Sequence, residues 1–425
     1  MKILWITNSI LPEAVNLISH KSVEIKQTGS WVYAMACELQ KTCSDLELHV
    51  ASCSKLVKEL TTVKGCYITH HVFPYCKGPK VYNRRYESYW KTIKHKVEPD
   101  VVHIHGTEFT LGLSYVNACG NDNVIVSVQG LVSQVSKHVY GGLGFWELNR
   151  NITVHDFLRH NTYFGMAHDM KRCAKYEIDI LKKVKHVIGR TSWDKANVLA
   201  INSHLSYHFC NEMLREEFYS DKWSYKECTK HSIFLSQAHY GVKGTHVFLD
   251  ALSLVVKKYP DTKVIIAGPK MVRYNWVKEH IFSATYGKYL RKKIQKLNLS
   301  DNIIFCGPKN ASEMKELLLS SNVFVSPSSI ENSPNSLGEA QLLGVPCVAS
   351  YVGGTADFIP NSNCGSLYRY EDYEVLSHLI IEKFETSKQF DNSMETSYAS
   401  NRHDKKNILS SLINIYKIVL YGNIK

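Results

Sequence analysis

Several patterns that would assign a class at once are missing from this sequence. No two of its 12 cysteines stand in a C-x-x-C arrangement, which a structural zinc site or a redox pair would need. No apolar stretch approaches the roughly 18 residues that span a bilayer. Asn8, Pro12 and Glu13 interrupt the apolar start before the hydrophobic region of a signal peptide is complete. We therefore expect a cytoplasmic protein with free thiols, and any membrane contact to be peripheral to the inner face of the cell membrane.

The sequence also lacks a helix-turn-helix, zinc-finger or RNP-type pattern. Its formal charge of +12 admits nucleic acid, an anionic membrane surface or a phosphorylated substrate as partner. Because no recognition motif accompanies the charge, we expect no nucleic acid partner.

Short β-rich runs alternate with helical patterns along the 425 residues, which favours an α/β fold with parallel sheets. The pattern restarts at His231 and predicts a second Rossmann-like unit. We predict an N-terminal domain over residues 1–219, a polar linker over 220–230, a second domain over 231–400, and a C-terminal helix within 401–425 that packs on the first domain. Two Rossmann-like domains facing a central cleft predict a nucleotide in that cleft. Strands are predicted at Ile3–Thr7, Leu46–Ala51, Val101–His105, Val124–Val128, Lys185–Gly189, Ile233–Ser236, Lys263–Ala267 and Asn302–Cys306.

The segment with the most chemistry runs from residue 323 to residue 354 and reads VFVSPSSIENSPNSLGEAQLLGVPCVASYVGG. It predicts a strand, a polar loop, a helix and a second strand. Pro334 and Asn335 come just before the helix, and Ser336 lies in its first turn. The unpaired backbone N–H groups of that turn, at the positive end of the helix dipole, predict a diphosphate site.

Glu331 and Glu339 flank this turn, one on the loop and one on the helix. Carboxylates accept hydrogen bonds from hydroxyls, so the pair suits a ribose and a hexose. On charge alone, the alternative of a solvated helix residue and a loop acid stays open. The segment resembles the E-x7-E motif of family-4 retaining glycosyltransferases of the GT-B fold. That resemblance implies that Glu331 lies near the donor sugar and that Glu339 binds the ribose.

A second stretch, SQAHYGVKGT at residues 236–245, also resembles this family. The resemblance implies that Lys243 neutralises the departing diphosphate, where a fixed cation stabilises the growing charge. Many relatives carry an arginine five residues earlier, where this chain has Ala238. We expect His239, or a basic residue from elsewhere, to take that place.

The resemblance extends to substrate-binding residues of the first domain. Gly29 and Ser30 open a helix and are similar to the family's glycine-rich loop. His105 and Gln129 lie at strand ends expected to face the cleft, and Gln129 stands where many relatives have a histidine. Arg190 is expected either to contact the donor or to form a structural ion pair.

A metal site is not expected. His103 and His105 lie two apart on a strand and could share a metal, but a structural role or an acceptor contact by His105 is favoured. No two aspartates form the D-x-D motif of metal-dependent glycosyltransferases. We expect no cofactor, with the nucleotide diphosphate sugar as co-substrate.

Seven basic residues and one acid lie between Lys77 and Lys96, interleaved with Tyr82, Tyr86, Tyr89 and Trp90. Such a helix could rest on anionic headgroups and present a lipid-linked acceptor. The alternative is a solvated face whose aromatic rings lie in the core.

The resemblance implies transfer of a hexose or N-acetylhexosamine from a UDP- or GDP-linked sugar to a lipid-linked or polysaccharide-precursor acceptor, with retention of configuration. Two alternatives remain: a GT-B nucleotide-sugar epimerase, and a nucleotide-sugar binding protein without catalysis.

Overall fold

The computed structural model describes residues 1–19, 30–43, 45–76, 80–153, 156, 162–269, 272 and 284–422, with only the backbone of Ser30 and Trp31. The chain divides into two compact units. The first unit contains Met1–Ser136, Asp169–Met213 and Asp404–Lys425. The second contains Lys137–His168 and Leu214–His403.

The first unit is built on an eight-stranded sheet with the order β3-β4-β2-β1-β5-β6-β7-β8. All neighbouring strands are parallel except β3 and β4. Its central strand β5 is buried at all five residues, with His103 and His105 buried among the apolar Val101, Val102 and Ile104. The strands are β1 Lys2–Thr7, β2 Glu47–Ser54, β3 Thr61–Lys64, β4 Ile68–Pro74, β5 Val101–His105, β6 Val124–Ser127, β7 His186–Gly189 and β8 Ser206–Phe209.

Helices cover both faces of this sheet, with a separate apolar cluster on each face. They are α1 Pro12–Ser19, α2 Ser30–Thr42, α3 Arg85–Val97, α4 Leu111–Cys119, α5 Val132–Val135, α7 Tyr163–Lys183, α8 Ser192–Ile201 and α15 Lys405–Tyr421. The boundary between the units at His168 falls within α7.

Helix α15 packs into the first unit through Ile408, Leu412 and Tyr416, beside strand β1. The Tyr416 hydroxyl accepts a hydrogen bond from Trp5 Nε1 at 2.9 Å and lies 2.7 Å from His103 Nδ1. The apolar residues of α15 recur at helical spacing, and this pattern predicted the helix from the sequence.

The second unit is built on six parallel strands with the order β11-β10-β9-β12-β13-β14. Counted from β9, this is the 3-2-1-4-5-6 order of a Rossmann sheet. The prediction of two Rossmann-like α/β domains is confirmed. The strands are β9 Thr229–Leu235, β10 Lys263–Ala267, β11 Ile303–Gly307, β12 Ser321–Ser326, β13 Cys347–Ser350 and β14 Ser366–Tyr368. The helices are α6 Phe145–Asn149, α9 Thr245–Lys258, α10 Thr285–Lys296, α11 Ala311–Leu319, α12 Asn335–Leu343, α13 Tyr373–Thr386 and α14 Ser393–Arg402.

The division between the units differs from the expected domains. Residues 214–219, expected in the first domain, and residues 401–403, expected in the C-terminal helix segment, belong to the second unit. Residues 220–230, expected to be a linker, belong to the second unit, where Trp223 and Cys228 lie in its core. Their many polar residues obscured this packing in the sequence. Residues 137–168, expected in the first domain, also belong to the second unit.

Helix α3 lies in the basic, aromatic region between Lys77 and Lys96. Tyr86 and Trp90 are fully buried in the core of the first unit, while Tyr82 and Tyr89 are partly buried against it. The structure therefore favours the alternative in which the rings are core residues and the basic side chains form a solvated face. Within the described residues, no helix is both long and apolar enough to cross a membrane.

Candidate functional site

The strand order of the second unit brings two polar loops together. β9 and β12 are neighbours at the point where the strand order reverses, which is where ligands of such sheets bind, beyond the carboxyl ends of the strands. Residues 236–244 leave β9 and contain Lys243; we call them the lysine loop. Residues 327–334 leave β12 and contain Glu331; we call them the glutamate loop.

A close backbone contact joins the two loops. The backbone N–H of Ser329 donates to the carbonyl of Val242 at 2.7 Å. Gly244 has a φ of 66°, and a Cβ on it would lie 1.7 Å from the Pro327 carbonyl oxygen. Only glycine tolerates both conditions, so Gly244 allows the approach.

Lys243 and Glu331 form an ion pair, with Nζ 2.6 Å from Oε1. The Ser328 hydroxyl donates to the same oxygen at 2.7 Å. Burial opposes the charge on Lys243, but Glu331 outweighs this, and the pKa of Lys243 is raised. Both side chains keep just under a fifth of their surface exposed, so a ligand can reach them.

Helix α12 begins directly after the glutamate loop, and its first turn has no side-chain cap. Pro334 is its N-cap residue and offers no side-chain acceptor. By contrast, the nearby helix α11 is closed by a capping box of Asn310 and Glu313. Asn335 and Ser336 are half-buried in the first turn of α12, and Asn335 Oδ1 has no hydrogen-bond partner within the described residues. This open helix start fits an anion.

Glu339 lies in the second turn of α12 and is 4% exposed. Burial raises its pKa, and Arg215 opposes the shift. The Arg215 guanidinium makes two hydrogen bonds to it, Nε to Oε1 at 2.7 Å and Nη2 to Oε2 at 2.8 Å. No local sequence pattern marks the contact between Arg215 and Glu339, because 124 positions separate the two residues.

His239 lies in the lysine loop. Its Nδ1 atom is buried and has no hydrogen-bond partner in the described part of the chain. Burial, with the charge of Lys243, lowers the pKa of His239 to about 4. The ring is therefore neutral at neutral pH in the ligand-free site, and the neutral ring can bind a phosphate as a hydrogen-bond donor.

The remaining predicted residues belong to the first unit. Gly29 lies outside the described residues, as does the side chain of Ser30. Arg190 is buried and forms an ion pair with Glu212, and its Nη2 donates to the carbonyls of Val128 and Gln129 at 3.1 and 2.9 Å. The Gln129 side chain also contacts Glu212, at 3.3 Å. These contacts favour the structural ion pair for Arg190, made with Glu212.

His103 and His105 lie side by side, with ring centroids 3.9 Å apart. Burial lowers the pKa of both, that of His105 to about 3. His105 borders a cavity of about 20 Å³, which admits about one water molecule but no sugar. His103 is held between Tyr416 and Ser127, with Nε2 2.6 Å from Ser127 Oγ. No group of three or more His, Cys, Asp or Glu side chains suited to a metal ion occurs among the described residues.

Glu108 follows β5 and was not singled out from the sequence. Its carboxylate accepts from Asn8 Nδ2 at 3.2 Å and from the Gly130 N–H at 3.3 Å. Burial, with a contribution from Glu177, raises the pKa of Glu108 to about 7. It lies where the strand order of the first sheet reverses, between β1 and β5.

Two α/β units built on largely parallel sheets, one with a basic and acidic site at its switch point, fit the GT-B class that the sequence resemblance implies. Residues 217–399 match the family model "Glycosyl transferases group 1". The family-4 resemblance drawn from the E-x7-E segment is thereby confirmed, and these residues form a domain of that glycosyltransferase family.

Known proteins with a similar sequence or fold agree with this class. A D-inositol 3-phosphate glycosyltransferase of Corynebacterium urealyticum is 26% identical over 134 residues, which cover 31% of this chain and 29% of that protein. The chain spans about a third of the length of the curated relatives it matches.

Several solved structures match nearly the whole chain, and two of them illustrate the fold. Sucrose-phosphate synthase from Thermosynechococcus elongatus has a TM-score of 0.66 at 13% identity, over 99% of this chain and 100% of that one. HepE from Anabaena, solved in complex with UDP and glucose, has a TM-score of 0.63 at 15% identity, over 98% and 99% of the two chains. The GT-B fold prediction is confirmed.

Proposed function

We propose that the chain is a retaining glycosyltransferase that moves a hexose or N-acetylhexosamine from a UDP- or GDP-linked sugar to a lipid-linked or polysaccharide-precursor acceptor. The observation that carries this proposal is the Lys243–Glu331 ion pair at the switch point of the second sheet. Glu331 lies four residues before Asn335, where α12 begins without a side-chain cap. A cation beside an open helix N-terminus suits a diphosphate. HepE, a structural neighbour, was solved with UDP and glucose, which favours UDP.

In the proposed reaction, the diphosphate binds at the first turn of α12, near Asn335 and Ser336. The bond between the sugar C1 and the phosphate oxygen breaks while the acceptor hydroxyl attacks C1 from the same face. The hydroxyl proton passes to the departing diphosphate. Lys243 stabilises the charge that grows on the leaving oxygen, and Glu331 orients Lys243 and accepts hydrogen bonds from the sugar.

Glu339 has the chemistry to bind the ribose. Each of its oxygens has two acceptor positions, and Arg215 uses only one on each. Ribose hydroxyls can therefore donate to the remaining positions while the two hydrogen bonds from Arg215 hold the carboxylate in place.

The first experiment measures thermal shifts with UDP, GDP, ADP and CDP and their common sugars, for wild type and for Glu339→Ala. A ligand at 100 times its Kd adds about 2.7 kcal/mol to stability. We expect one nucleotide to stand out and its shift to disappear in Glu339→Ala. Absence of any shift would contradict a donor site that is formed without acceptor.

The product separates this reaction from the two alternatives. With the preferred donor and a lipid-linked acceptor, we expect an α-linked product from an α-linked donor, detected by NMR. A β-linked product would overturn retention. Turnover of donor to an epimeric nucleotide sugar without acceptor would indicate an epimerase, and binding without any turnover would indicate a binding protein.

We propose a purely electrostatic membrane contact for the solvated face of α3. Lys91, Lys94 and Lys96 have exposed side chains on α3, although Lys94 Nζ also donates to the Cys119 carbonyl at 2.7 Å and Lys96 Nζ to the Thr62 hydroxyl at 3.1 Å. The neighbouring Trp90 is buried and cannot insert into a bilayer. Each such lysine contributes about 1 kcal/mol near an anionic surface, and salt screens it. We expect sedimentation with phosphatidylglycerol vesicles at 20 mM salt but not at 500 mM, and loss of binding after charge reversal of the three lysines. Equal binding by the reversed variant would contradict the proposal.

A further inference from the structure

The residues between α5 and α7 leave the first unit and join the second. This 137–168 segment is described at residues 137–153, 156 and 162–168 and contains α6. The Asp156 carboxylate accepts hydrogen bonds from the backbone N–H and the hydroxyl of Thr285, both at 2.5 Å, at the start of α10. The segment is thus anchored on the second unit at a buried point.

The same segment holds the lysine loop by two contacts. The backbone N–H of Gly241 donates to the Tyr163 hydroxyl at 2.9 Å, in a buried position. Gly141 lies directly against Gly241: a Cβ on Gly141 would come 2.2 Å from the Gly241 carbonyl oxygen. Gly141 also has a φ of 60°, which favours glycine.

A third contact fixes the helix that follows the loop. His246, in the first turn of α9, lies with Nε2 2.9 Å from the Gly141 carbonyl and Nδ1 2.9 Å from the Tyr286 hydroxyl. The carbonyl can only accept, so Nε2 carries the proton. The Tyr370 hydroxyl donates to the same carbonyl at 2.6 Å.

Lys243 follows Gly241 by two residues within one short 3₁₀ turn, so the position of Gly241 sets where the Lys243 backbone lies, from which the side chain reaches Glu331. We propose that the 137–168 segment positions the diphosphate site, with Tyr163 and Gly141 as positioning residues that set the lysine loop so that Lys243 reaches the diphosphate. This inference rests on the proposed function, because it assumes that a nucleotide diphosphate binds there. The local sequence around Lys243 does not predict that the lysine loop depends on the 137–168 segment.

The chain offers a matched pair of variants for the test. Gly141→Ala and Gly142→Ala both place a methyl group at a positive φ, 60° and 84°. Only the first methyl meets the lysine loop, since a Cβ on Gly142 would lie 3.6 Å from a Tyr370 ring carbon, an ordinary contact. A second pair is Tyr163→Phe, which removes the acceptor of the Gly241 N–H, and Tyr140→Phe as its control.

Affinities for UDP and UMP are measured by calorimetry for wild type and all four variants. We expect Gly141→Ala to weaken UDP at least tenfold and UMP much less, because the second phosphate loses Lys243, while Gly142→Ala stays within threefold for both. Tyr163→Phe should lower the UDP-to-UMP affinity ratio by about threefold or more, and Tyr140→Phe should not change it. In a Lys243→Ala background, Gly141→Ala should have no further effect on UDP.

The outcomes distinguish a failure of the proposed function from a failure of the positioning role. If wild type binds none of the nucleotides, the proposed function fails. If wild type binds UDP but the ratio is the same in Gly141→Ala and Gly142→Ala, the positioning role is overturned. If Gly141→Ala does not fold, Tyr163→Phe decides: an unchanged ratio overturns the inference, and a lowered ratio supports it.

Discussion

The two sheets end in polar side chains that are used differently. At the carboxyl ends of the first sheet, Arg190 is committed to Glu212 and two backbone carbonyls, and His103 lies between Tyr416 and Ser127. At the corresponding end of the second sheet, α12 has no side-chain cap, and His239 Nδ1 is buried without a partner among the described residues. Buried polar groups are normally paired, so the second arrangement indicates a ligand and the first a stable interior.

The largest expected losses of stability come from breaking either of two buried arginine–carboxylate pairs. Arg190→Met leaves Glu212 without its cation, and Arg215→Met does the same to Glu339. Breaking a buried pair costs about 3–5 kcal/mol, and we expect somewhat less at Arg215, which water reaches more easily. Hydrogen exchange read by mass spectrometry assigns each loss to its unit, since a two-unit chain need not unfold in one step.

We further expect Arg215→Met to weaken UDP binding and Arg190→Met to leave it unchanged. If Arg190→Met abolished UDP binding while the first unit kept its exchange protection, the polar side chains of the first sheet would not serve stability alone. Arg190 would then contact the donor, as the other sequence-based interpretation holds.

Removal of the Lys243 ammonium should have the next largest effect. Lys243→Ala is expected to lower kcat roughly 10²–10³-fold, since a fixed cation no longer stabilises the departing diphosphate. Lys293→Ala is the matched control, because Lys293 also pairs with a carboxylate of the second unit, Asp250, at 2.6 Å. Equal losses in the two variants would mean that the effect is structural.

Glu395 tests how the second unit responds to pH. Burial raises its pKa well above the ordinary value, so the folded protein holds a proton that the unfolded chain releases above about pH 4.5. The contribution of Glu395 to the free energy of unfolding is therefore fully present below that pH. It declines by about 1.4 kcal/mol per pH unit as the pH rises toward the pKa of Glu395 in the folded protein. Glu395→Gln should match wild type at pH 4.5 and be more stable at pH 7.5 by urea titration. A constant difference across this range would refute the assignment.

The smallest effect is expected at His239. His239→Ala removes one hydrogen-bonding group and should weaken UDP by about 1 kcal/mol. Because the pKa of His239 is about 4, the ring stays neutral, and the difference from wild type should be the same at pH 6 and pH 8. A difference that grows at pH 6 would show instead that the bound diphosphate protonates the ring.

Continuous apolar runs made the central strands predictable. β5 and β10 have the predicted bounds, because Val101, Val102 and Ile104 in β5 and residues 264–267 in β10 are apolar and largely buried. β4 was missed since His70 and His71 give it a polar appearance, although both side chains are buried in the structure. The edge strand β8 was missed because it has only four residues, SYHF, and none of them is buried.

The candidate site was predictable where chemistry is local in the sequence. Glu331, Glu339 and the start of α12 lie within one segment, and the structure brings Lys243 to Glu331. Arg215 could not be inferred, because its contact with Glu339 exists only in the fold. The site roles themselves stay predictions until the variants are measured.

Helix α15 affects the order in which the two units can fold during synthesis. The first unit needs residues 404–421 to cover β1, since Tyr416 receives the Trp5 indole N–H and touches His103 in its interior. On the ribosome, the whole second unit emerges before this helix does. Part of one face of the first sheet therefore stays uncovered until α15 emerges, although α2 packs on the same face and the second unit can already fold. This exposed apolar surface favours aggregation during synthesis.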